Sequence, residues 1–387
     1  MTQFWTSMLA TLGWKIPDPL IFSIGAVLLA AALGMGVLTS GLVRSRWLRL
    51  PLGLAGVAIM IAACLDSPPR PITMSECTDA LKSDDGISAP PRDTVVLPGY
   101  VGIGSGGKTG TYYELAENIV ELAKTIGLNI FNVETLGSFD NLRLIRSSAN
   151  VALGFAQSDI LSGMAASEVA RLRLVLPLYR EEIHVLARRD INQLSDLSNK
   201  VVVTARSSMG SQHTARNILK LGGVTPVGGV QTLDAEEAVC RVVTGQADAM
   251  FVVAGKPTPL LKALAVLALH RDKPLAKVHF MPLKSLPELQ QYEQARLTRG
   301  DYPWAYGSDK QQGATETLAV RALLMAYDFS ARKTPYQSQR CDVLKELVKT
   351  LVKSKPELCQ LPNHPKWCEV DMTLSVSGWR WDDCSHL

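Results

Sequence analysis

The sequence predicts an α/β protein with a parallel β-sheet core, preceded by an apolar N-terminal segment. From Tyr100 onward, short apolar runs alternate with amphipathic stretches, and several of the apolar runs end in glycine or small polar residues. The first 66 residues are instead dominated by long uncharged stretches. Because so much chain follows Tyr100, one ordinary sheet would not accommodate it, and we expect two lobes with a central cleft.

The N-terminal segment is predicted to anchor the protein in a membrane. Residues 20–43 are 24 residues without a charge, which is long enough to span a bilayer. Residues 50–65 are a second, shorter uncharged stretch, and Arg44, Arg46 and Arg49 lie between the two. Since arginines favour the cytoplasmic side, we expect the rest of the chain on the periplasmic face of the bacterial inner membrane. Residues 1–66 are the predicted anchor, with one or two apolar helices.

The second apolar stretch ends in a motif that has two interpretations. Ile61, Ala62, Ala63 and Cys64 resemble a lipobox, in which Cys64 would be lipidated after cleavage of a signal. The alternative is an uncleaved two-helix hairpin in which Cys64 is an ordinary apolar residue. Both interpretations tether the protein. Residues 67–98 contain six prolines and little periodicity, and they are predicted to be a linker.

A glycine-rich loop follows the first predicted strand. Residues 104–113 lead into an amphipathic helix, so backbone N–H groups and hydroxyls gather at the positive end of a helix dipole and favour an anion. Residues 102–109 also satisfy the P-loop pattern for nucleotide phosphates. However, Gly102 and Gly104 lie inside the apolar strand, and no convincing Mg²⁺-binding aspartate follows a second apolar run. We favour a carboxylate, with a P-loop nucleotide-binding protein as the alternative.

Two further polar loops follow the next predicted strands. Residues 137–141 open a second helix, and Gln157 stands at the exit of the buried run 151–155. Because ligands of open α/β sheets bind beyond the carboxyl ends of the strands, these loops are candidates for one common site.

These motifs, with others downstream, resemble those of the TAXI family of solute receptors of TRAP transporters. The resemblance covers most of the chain after Val101, and it rests on the order and spacing of six short motifs: residues 104–113, 137–141, 154–159, 178–185, 245–251 and 254–257. It implies a periplasmic-binding-protein fold that captures a small organic anion, such as glutamate or a dicarboxylate, and delivers it to the TRAP membrane subunits. A membrane-tethered sensor without transport is an alternative.

The resemblance also implies a layout of lobes and a set of ligand-binding residues. Lobe 1 is predicted to comprise residues 99–178 and 285–387, and lobe 2 residues 179–284. The chain departs from the family where Lys108, Arg206 and Met209 replace neutral or small residues, and Lys108 and Arg206 are candidate anion-contacting cations. The expected ligand-binding residues are Ser105, Thr109, Thr111, Tyr112, Ser138, Asn141, Gln157, Ser208, Ser211 and Gly255.

The cysteines agree with export. Without Cys64 there are six, an even number that is compatible with disulfides in an oxidising compartment. We predict pairs Cys341–Cys359 and Cys368–Cys384, although spacing does not determine connectivity, and we expect Cys240 to be a buried free thiol. A zinc site built from Cys359, His364, Cys368 and His386 is a minor alternative, because the usual Cys-x₂₋₄-Cys pair is missing.

Composition and motifs argue against nucleic-acid binding and catalysis. The net charge is only +4 and the cations are scattered. The chain lacks a Gly-x-Ser-x-Gly elbow, and the histidines lack metal-ligand spacing, so we expect no enzymatic activity, cofactor or metal. Glu181 and Glu182 are adjacent and cannot face each other as an acid–base pair. Glu181 is expected either in a hinge hydrogen bond with His184 or in a surface ion pair with Arg180.

Overall fold

The computed structural model describes residues 70–82, 99–270, 272–284, 286–306 and 313–385. The predicted anchor, including Cys64, and most of the predicted linker lie outside these ranges. The chain divides into two compact units, one of residues 1–77 with 267–274 and one of residues 78–266 with 275–387. No helix within the described ranges combines the length and the apolar character needed to cross a bilayer.

A short helix, α1 (Met74–Leu81), lies within the segment predicted to be a linker. Thr73 and Glu76 explain where it begins. The Thr73 hydroxyl accepts from the Glu76 N–H at 3.3 Å, and the Glu76 carboxylate accepts from the Thr73 N–H at 3.0 Å. These two bonds form a reciprocal capping box, which the prediction of a proline-rich linker does not take into account. Cys77 in this helix is fully buried and disulfide-bonded.

The remaining helices and strands belong to the second unit. The α-helices are α2 (Thr111–Lys124), α3 (Ser138–Ser147), α4 (Ala166–Val169), α5 (Met209–Leu221), α6 (Ala235–Val243), α7 (Pro259–Ala263), α8 (Pro335–Lys353) and α9 (Lys355–Leu358). The strands are β1 (Tyr100–Gly104), β2 (Asn129–Val133), β3 (Val151–Gln157), β4 (Leu172–Arg188), β5 (Val202–Ala205), β6 (Val230–Leu233), β7 (Ala249–Ala254), β8 (Val278–Phe280), β9 (Glu293–Thr298) and β10 (Ala314–Tyr327). Short 3₁₀ turns cover Ser158–Gly163, Leu194–Leu197, Leu264–Leu269, Pro274–Lys277, Pro287–Leu289, Pro303–Ala305 and Pro365–Glu369.

The strands form one mixed sheet in the order β2-β1-β3-β10-β4-β7-β5-β6, with β8 beside β4 and β9 beside β10. Two parallel groups lie at its ends, β2-β1-β3 in lobe 1 and β7-β5-β6 in lobe 2. The long strands β4 and β10 run antiparallel to each other through both lobes. The α/β class is therefore as predicted, but the sheet is mixed, because the two crossing strands enter antiparallel to their neighbours.

The boundaries between the lobes fall inside these two strands and differ from those predicted. β4 pairs with β10 in lobe 1 and acquires β7 as a partner from Glu182 onward, so the first crossing lies close to the predicted residue 179. The return was expected at residue 285. Instead, Leu289, Tyr292 and Leu318 pack in the lobe 2 core, and β9 pairs with the first half of β10. The chain therefore re-enters lobe 1 only near Val320.

The C-terminal tail covers lobe 1 and is held by two disulfides. Trp367 and the buried face of α8 belong to the lobe 1 core. The cysteines pair as Cys341–Cys384 and Cys359–Cys368, so the predicted pairing is wrong. Cys359 and Cys368 stand at the two ends of one short loop. Cys341 on α8 precedes that loop in the chain, and its partner Cys384 follows it. The pairs are nested, which spacing alone does not reveal.

Two further cysteine predictions are corrected. Cys240, on the buried side of α6, is a disulfide cysteine and not a free thiol. The alternative zinc site does not form, because Cys359 and Cys368 are bonded to each other and have no thiolate to offer. His386 lies outside the described residues.

Candidate functional site

Three helices of the second unit begin at the junction of the two lobes. They are α2 and α3 of lobe 1 and α5 of lobe 2, and each follows the carboxyl end of a parallel strand. Their N-cap residues are Gly110, Gly137 and Ser208, and none of these forms a side-chain cap hydrogen bond. The positive ends of three helix dipoles therefore come together without the side-chain acceptors that helix N-termini ordinarily have.

The two lobes are in direct contact at this junction. The Met209 N–H at the start of α5 donates to the Leu136 carbonyl at 2.9 Å, and the Thr111 hydroxyl of α2 donates to the Gly255 carbonyl at 3.0 Å. Gly210 makes the closest approach: a Cβ atom there would lie 2.2 Å from Gln157 Oε1 and 2.9 Å from Ser138 Oγ. A side chain at position 210 would force Gln157 and Ser138, or the lobes themselves, to shift.

Strand β4 crosses beneath this junction and carries Glu181 on the face that we call the inner face, defined by Glu181, Ile183 and Val185. Glu181 is only 2% exposed. Its Oε1 has a long contact with the Tyr179 hydroxyl at 3.5 Å, and its Oε2 has no hydrogen-bond partner among the described residues. Burial raises the pKa of this carboxyl to about 8, although the side chains of Gln157 and Tyr112 lower it in part.

Tyr112 lies beside this carboxyl. Its ring stacks on Phe155 at a centroid distance of 4.9 Å, and its hydroxyl is buried with no hydrogen-bond partner in the described part of the chain. Burial, and then the negative charge of Glu181, raise the pKa of Tyr112 well above its usual range. The inner face therefore carries a buried cluster of aromatic and acidic side chains near the helix N-termini.

Asp159 adds a second buried carboxyl to the junction. Its Oδ2 accepts from the Thr214 hydroxyl of α5 at 2.8 Å, and its backbone carbonyl lies 3.2 Å from His213 Nε2. Burial raises the pKa of Asp159, while the Thr214 hydrogen bond and the charge of His213 lower it. Asp159 therefore links the turn after β3 in lobe 1 to helix α5 in lobe 2.

The opposite, outer face of β4 carries Glu182 and His184, and both of these side chains have hydrogen-bond partners. Glu182 accepts from Lys366 Nζ at 2.7 Å and from the Lys256 N–H at 3.0 Å. His184 Nδ1 lies 3.2 Å from the Val252 carbonyl, so Nδ1 carries the proton, and Nε2 lies 2.8 Å from the Tyr302 hydroxyl. Burial lowers the pKa of His184 to about 4, so the ring is neutral at physiological pH.

Both expectations for Glu181 are therefore corrected. It is buried and cannot form a surface ion pair with Arg180, which is exposed. It does not bond to His184, because successive side chains of a strand point to opposite faces and both nitrogens of His184 already face other groups.

Two predicted binding residues are engaged within their own lobe. The Ser105 hydroxyl donates to Asn132 Oδ1 at 2.6 Å. The Asn141 amide donates to the carbonyls of Ser105 and Phe155, and its oxygen accepts from Thr135. Both side chains shape the loops of lobe 1 and have little left to offer a ligand.

Other predicted residues stand at the junction itself. Ser138 Oγ accepts from the Gln157 N–H at 3.2 Å, and Ser208 and Ser211 share a hydrogen bond of 2.6 Å. Gly255 is buried, and a Cβ there would lie 2.9 Å from the side chains of Lys366, Thr111 and Tyr179. At the loop after β1, Lys108 and Thr109 are half-buried, whereas Arg206 of lobe 2 is exposed.

The P-loop pattern does not form a phosphate loop. Gly102 lies in the middle of β1, where a Cβ would come within 2.8 Å of the Asn150 carbonyl, and Gly104 ends that strand against Asn141. The glycines therefore serve close packing in the sheet. Helix α2 begins at Thr111, after Lys108 and Thr109 have completed a turn.

Sequence reasoning missed the acidic components of the site. The sequence predicts Glu181 only as a hinge or surface residue, and it does not identify Tyr179, Asp159 or Thr214 as site residues. One signal was available: two consecutive glutamates interrupt a long run of buried apolar residues in β4. Acidic residues are seldom fully buried without a partner, and their position in such a run indicates a functional or paired role.

The chain belongs to the NMT1-like family, whose sequence model matches residues 103–374. The matched region contains every residue of the junction described above.

Solved structures that resemble the chain include three binding or sensor proteins. One is the substrate-binding protein of an amino acid ABC transporter (14% identity, 67% of this chain and 96% of that chain covered, TM-score 0.38). Another is a histidine kinase sensor domain with similarity to periplasmic binding proteins (13% identity, 71% of this chain and 98% of that chain covered, TM-score 0.39). The third is the alkanesulfonate-binding protein SsuA from Xanthomonas axonopodis pv. citri, bound to MOPS (15% identity, 72% of this chain and 86% of that chain covered, TM-score 0.36). These scores are too low to transfer any ligand to this chain.

Proposed function

We propose that this protein is an extracytoplasmic solute receptor that captures a small organic acid between its two lobes. The observation that carries the proposal is the convergence of three uncapped helix N-termini, from α2, α3 and α5, where the lobes meet. A carboxylate at this point would accept hydrogen bonds from N–H groups in the first turns of these helices and would complement the helix dipoles.

Capture proceeds by movement of one lobe against the other. β4 and β10 are the two strands that cross between the lobes, so bending within them opens and closes the junction without breaking either parallel group. On closure the ligand loses its water. Each hydrogen bond to an ionised carboxylate then contributes about 1.5–3 kcal/mol.

We further propose that the receptor delivers its ligand to the membrane subunits of a TRAP-type transporter, as the resemblance to the TAXI family implies. The disulfides support export, because such bonds persist in oxidising compartments. Residues 1–66 would then tether the receptor to the periplasmic face of the inner membrane. We propose binding without catalysis, since the described residues of the junction include no activated nucleophile, and His213 among them lies against a backbone carbonyl.

Ligand-induced thermal stabilisation tests the proposal. The full-length protein, purified in detergent, should show a raised Tm with at least one member of a panel of amino acids, monocarboxylates and dicarboxylates. Mass action predicts about 2.7 kcal/mol of added stability at a hundredfold excess over Kd. A shift with ATP–Mg²⁺ and with no acid in the panel would support the P-loop alternative and contradict the proposal.

A substitution at Gly210 tests whether binding requires closure. Gly210→Ala should lower affinity for the acid identified above at least tenfold, because the added Cβ meets Gln157 Oε1. The fold should persist, since alanine is favoured over glycine within a helix. Small-angle X-ray scattering should show a larger radius of gyration for ligand-mixed Gly210→Ala than for the ligand-mixed wild type. Gly313→Ala is the matched control, because a Cβ there meets nothing within 4 Å. Unchanged affinity in Gly210→Ala would contradict closure at this contact.

A further inference from the structure

Within the described part of the chain, no cation pairs with the carboxyl of Glu181. The titratable groups that face it are Tyr112 from α2, Tyr179 from β4 itself, Asp159 from the turn after β3, and Glu182 through the strand. The nearby cations are already engaged: Lys366 lies between Glu182 and Glu369, and His213 is beside Asp159. Among the described residues, the groups that act directly on Glu181 are therefore neutral or acidic.

The hydroxyl of Tyr112 independently points to a ligand at this position. Tyr112 is 9% exposed, and its hydroxyl lies beside the Glu181 carboxyl without a hydrogen-bond partner among the described residues. Its ring, with that of Tyr179, also gives this buried cluster the aromatic character that attracts cationic nitrogen. The Tyr112 hydroxyl interacts with the side chains of Ser138 and Glu181, but neither this hydroxyl nor Glu181 Oε2 has a well-formed hydrogen bond among the described residues. Buried polar atoms are nearly always hydrogen-bonded in folded proteins, so both atoms are candidates to bind a further polar group.

We propose that Glu181 binds a cationic nitrogen of the ligand, so that the receptor takes an amino acid in preference to a dicarboxylate or another acid without an amine. The ligand's carboxylate would lie toward the helix N-termini and its ammonium toward Glu181 and the hydroxyl of Tyr112. This inference rests on the proposed function and specifies its substrate class.

A dicarboxylate would bind at the same place only if Glu181 were protonated and donated a hydrogen bond to it. The two cases differ in their proton balance. Free Glu181, with a pKa of about 8, is mostly protonated at pH 7, so binding of an ammonium ion must release that proton. Binding of a second carboxylate would instead keep the proton in place and would take up protons at higher pH.

Isothermal titration calorimetry on the full-length protein tests the inference. The probes are the twenty standard amino acids and, for each, the acid that lacks the α-amino group. We expect one or more amino acids to bind at least a hundredfold more tightly than their des-amino counterparts. Glu181→Gln should lower that affinity at least thirtyfold and should abolish the preference. Titrations at pH 7 in buffers of different ionisation enthalpy should show release of close to one proton in the wild type and none in Glu181→Gln.

The control variant is Glu316→Gln, the same change at an exposed position of β10, which should bind as the wild type does. A des-amino acid that binds as tightly as its amino acid would overturn the inference while leaving the proposed receptor function intact. So would a Glu181→Gln variant that keeps the amine preference or the proton release. If no acid of either class bound, the proposed function itself would fail.

Discussion

The two faces of strand β4 place neighbouring glutamates in opposite situations. Glu182 on the outer face is met by a buried lysine and a backbone N–H, whereas the described residues that act on Glu181 on the inner face are neutral or acidic. Both side chains are almost completely buried. Burial alone therefore does not distinguish a structural carboxylate from one that awaits a ligand, and the distinction lies in whether the protein supplies the counter-charge.

The difference has a physical cause. Removing a carboxylate from water is costly, and a nearby cation with good geometry offsets much of that cost. Lys366 does so for Glu182, which fixes the C-terminal turn Pro365–Glu369 against the crossing strand. Glu181 has no such partner, so it holds a proton at neutral pH. Glu181 is thus a buried glutamate for which we propose that the ligand supplies the positive charge.

The largest expected effect on stability follows from removing the lysine that pairs with Glu182. Lys366→Met leaves Glu182 buried without its cation, and the free energy of unfolding should fall by about 3–5 kcal/mol. Urea unfolding followed by circular dichroism measures this. Lys349→Met, on the exposed side of α8, is the matched control and should change stability by less than about 0.5 kcal/mol. A loss below about 1 kcal/mol in Lys366→Met would mean that the two faces do not differ as described.

The pH dependence of stability should distinguish the two glutamates next. Because the pKa of Glu181 is raised to about 8 in the folded protein and is near 4.3 in the unfolded chain, its contribution to stability is complete at low pH and is lost as pH rises through 8. Between pH 6 and pH 8 wild-type stability should therefore fall by about 2 kcal/mol relative to Glu181→Gln. Urea midpoints at the two pH values provide the measurement. Parallel profiles for the two proteins would show that Glu181 is already ionised.

The smallest effect concerns the tyrosine hydroxyls on the two faces. Tyr302→Phe removes a hydroxyl that accepts from the Thr258 N–H and bonds His184, so it should cost about 1–2 kcal/mol. Tyr112→Phe removes a hydroxyl without a partner and should change stability by less than about 0.5 kcal/mol. Thermal unfolding in the absence of ligand compares the two variants. Equal losses would indicate that the Tyr112 hydroxyl is paired in solution.

Local features of the sequence were sufficient for part of the site. Glycines and hydroxyls before amphipathic helices predicted the loops that begin α2 and α3, and the structure has helices starting at Thr111 and Ser138. Small residues at helix N-termini act within a few positions of the chain, so their effect is visible in the letters. The engagement of Ser105 and Asn141 inside lobe 1 was not visible, because their partners lie up to 36 residues away.

Features that depend on distant partners could not be obtained in this way. The nested disulfides, the return to lobe 1 near Val320, and the pairing of Lys366 with Glu182 each join segments that are far apart in the chain. The sequence predicts other cysteine pairs and another return point, and it makes no prediction about Lys366.

By itself, then, the sequence determined the α/β class, the alternation of strands and helices after Tyr100, and the polar loops at strand ends, since these follow from local periodicity and backbone preference. Only the tertiary structure decided which of two adjacent glutamates receives a cation. The sequence makes the two residues alike, and alternation along a strand sends them to opposite faces. Which face contains a lysine is settled by how the C-terminal tail folds back on the sheet.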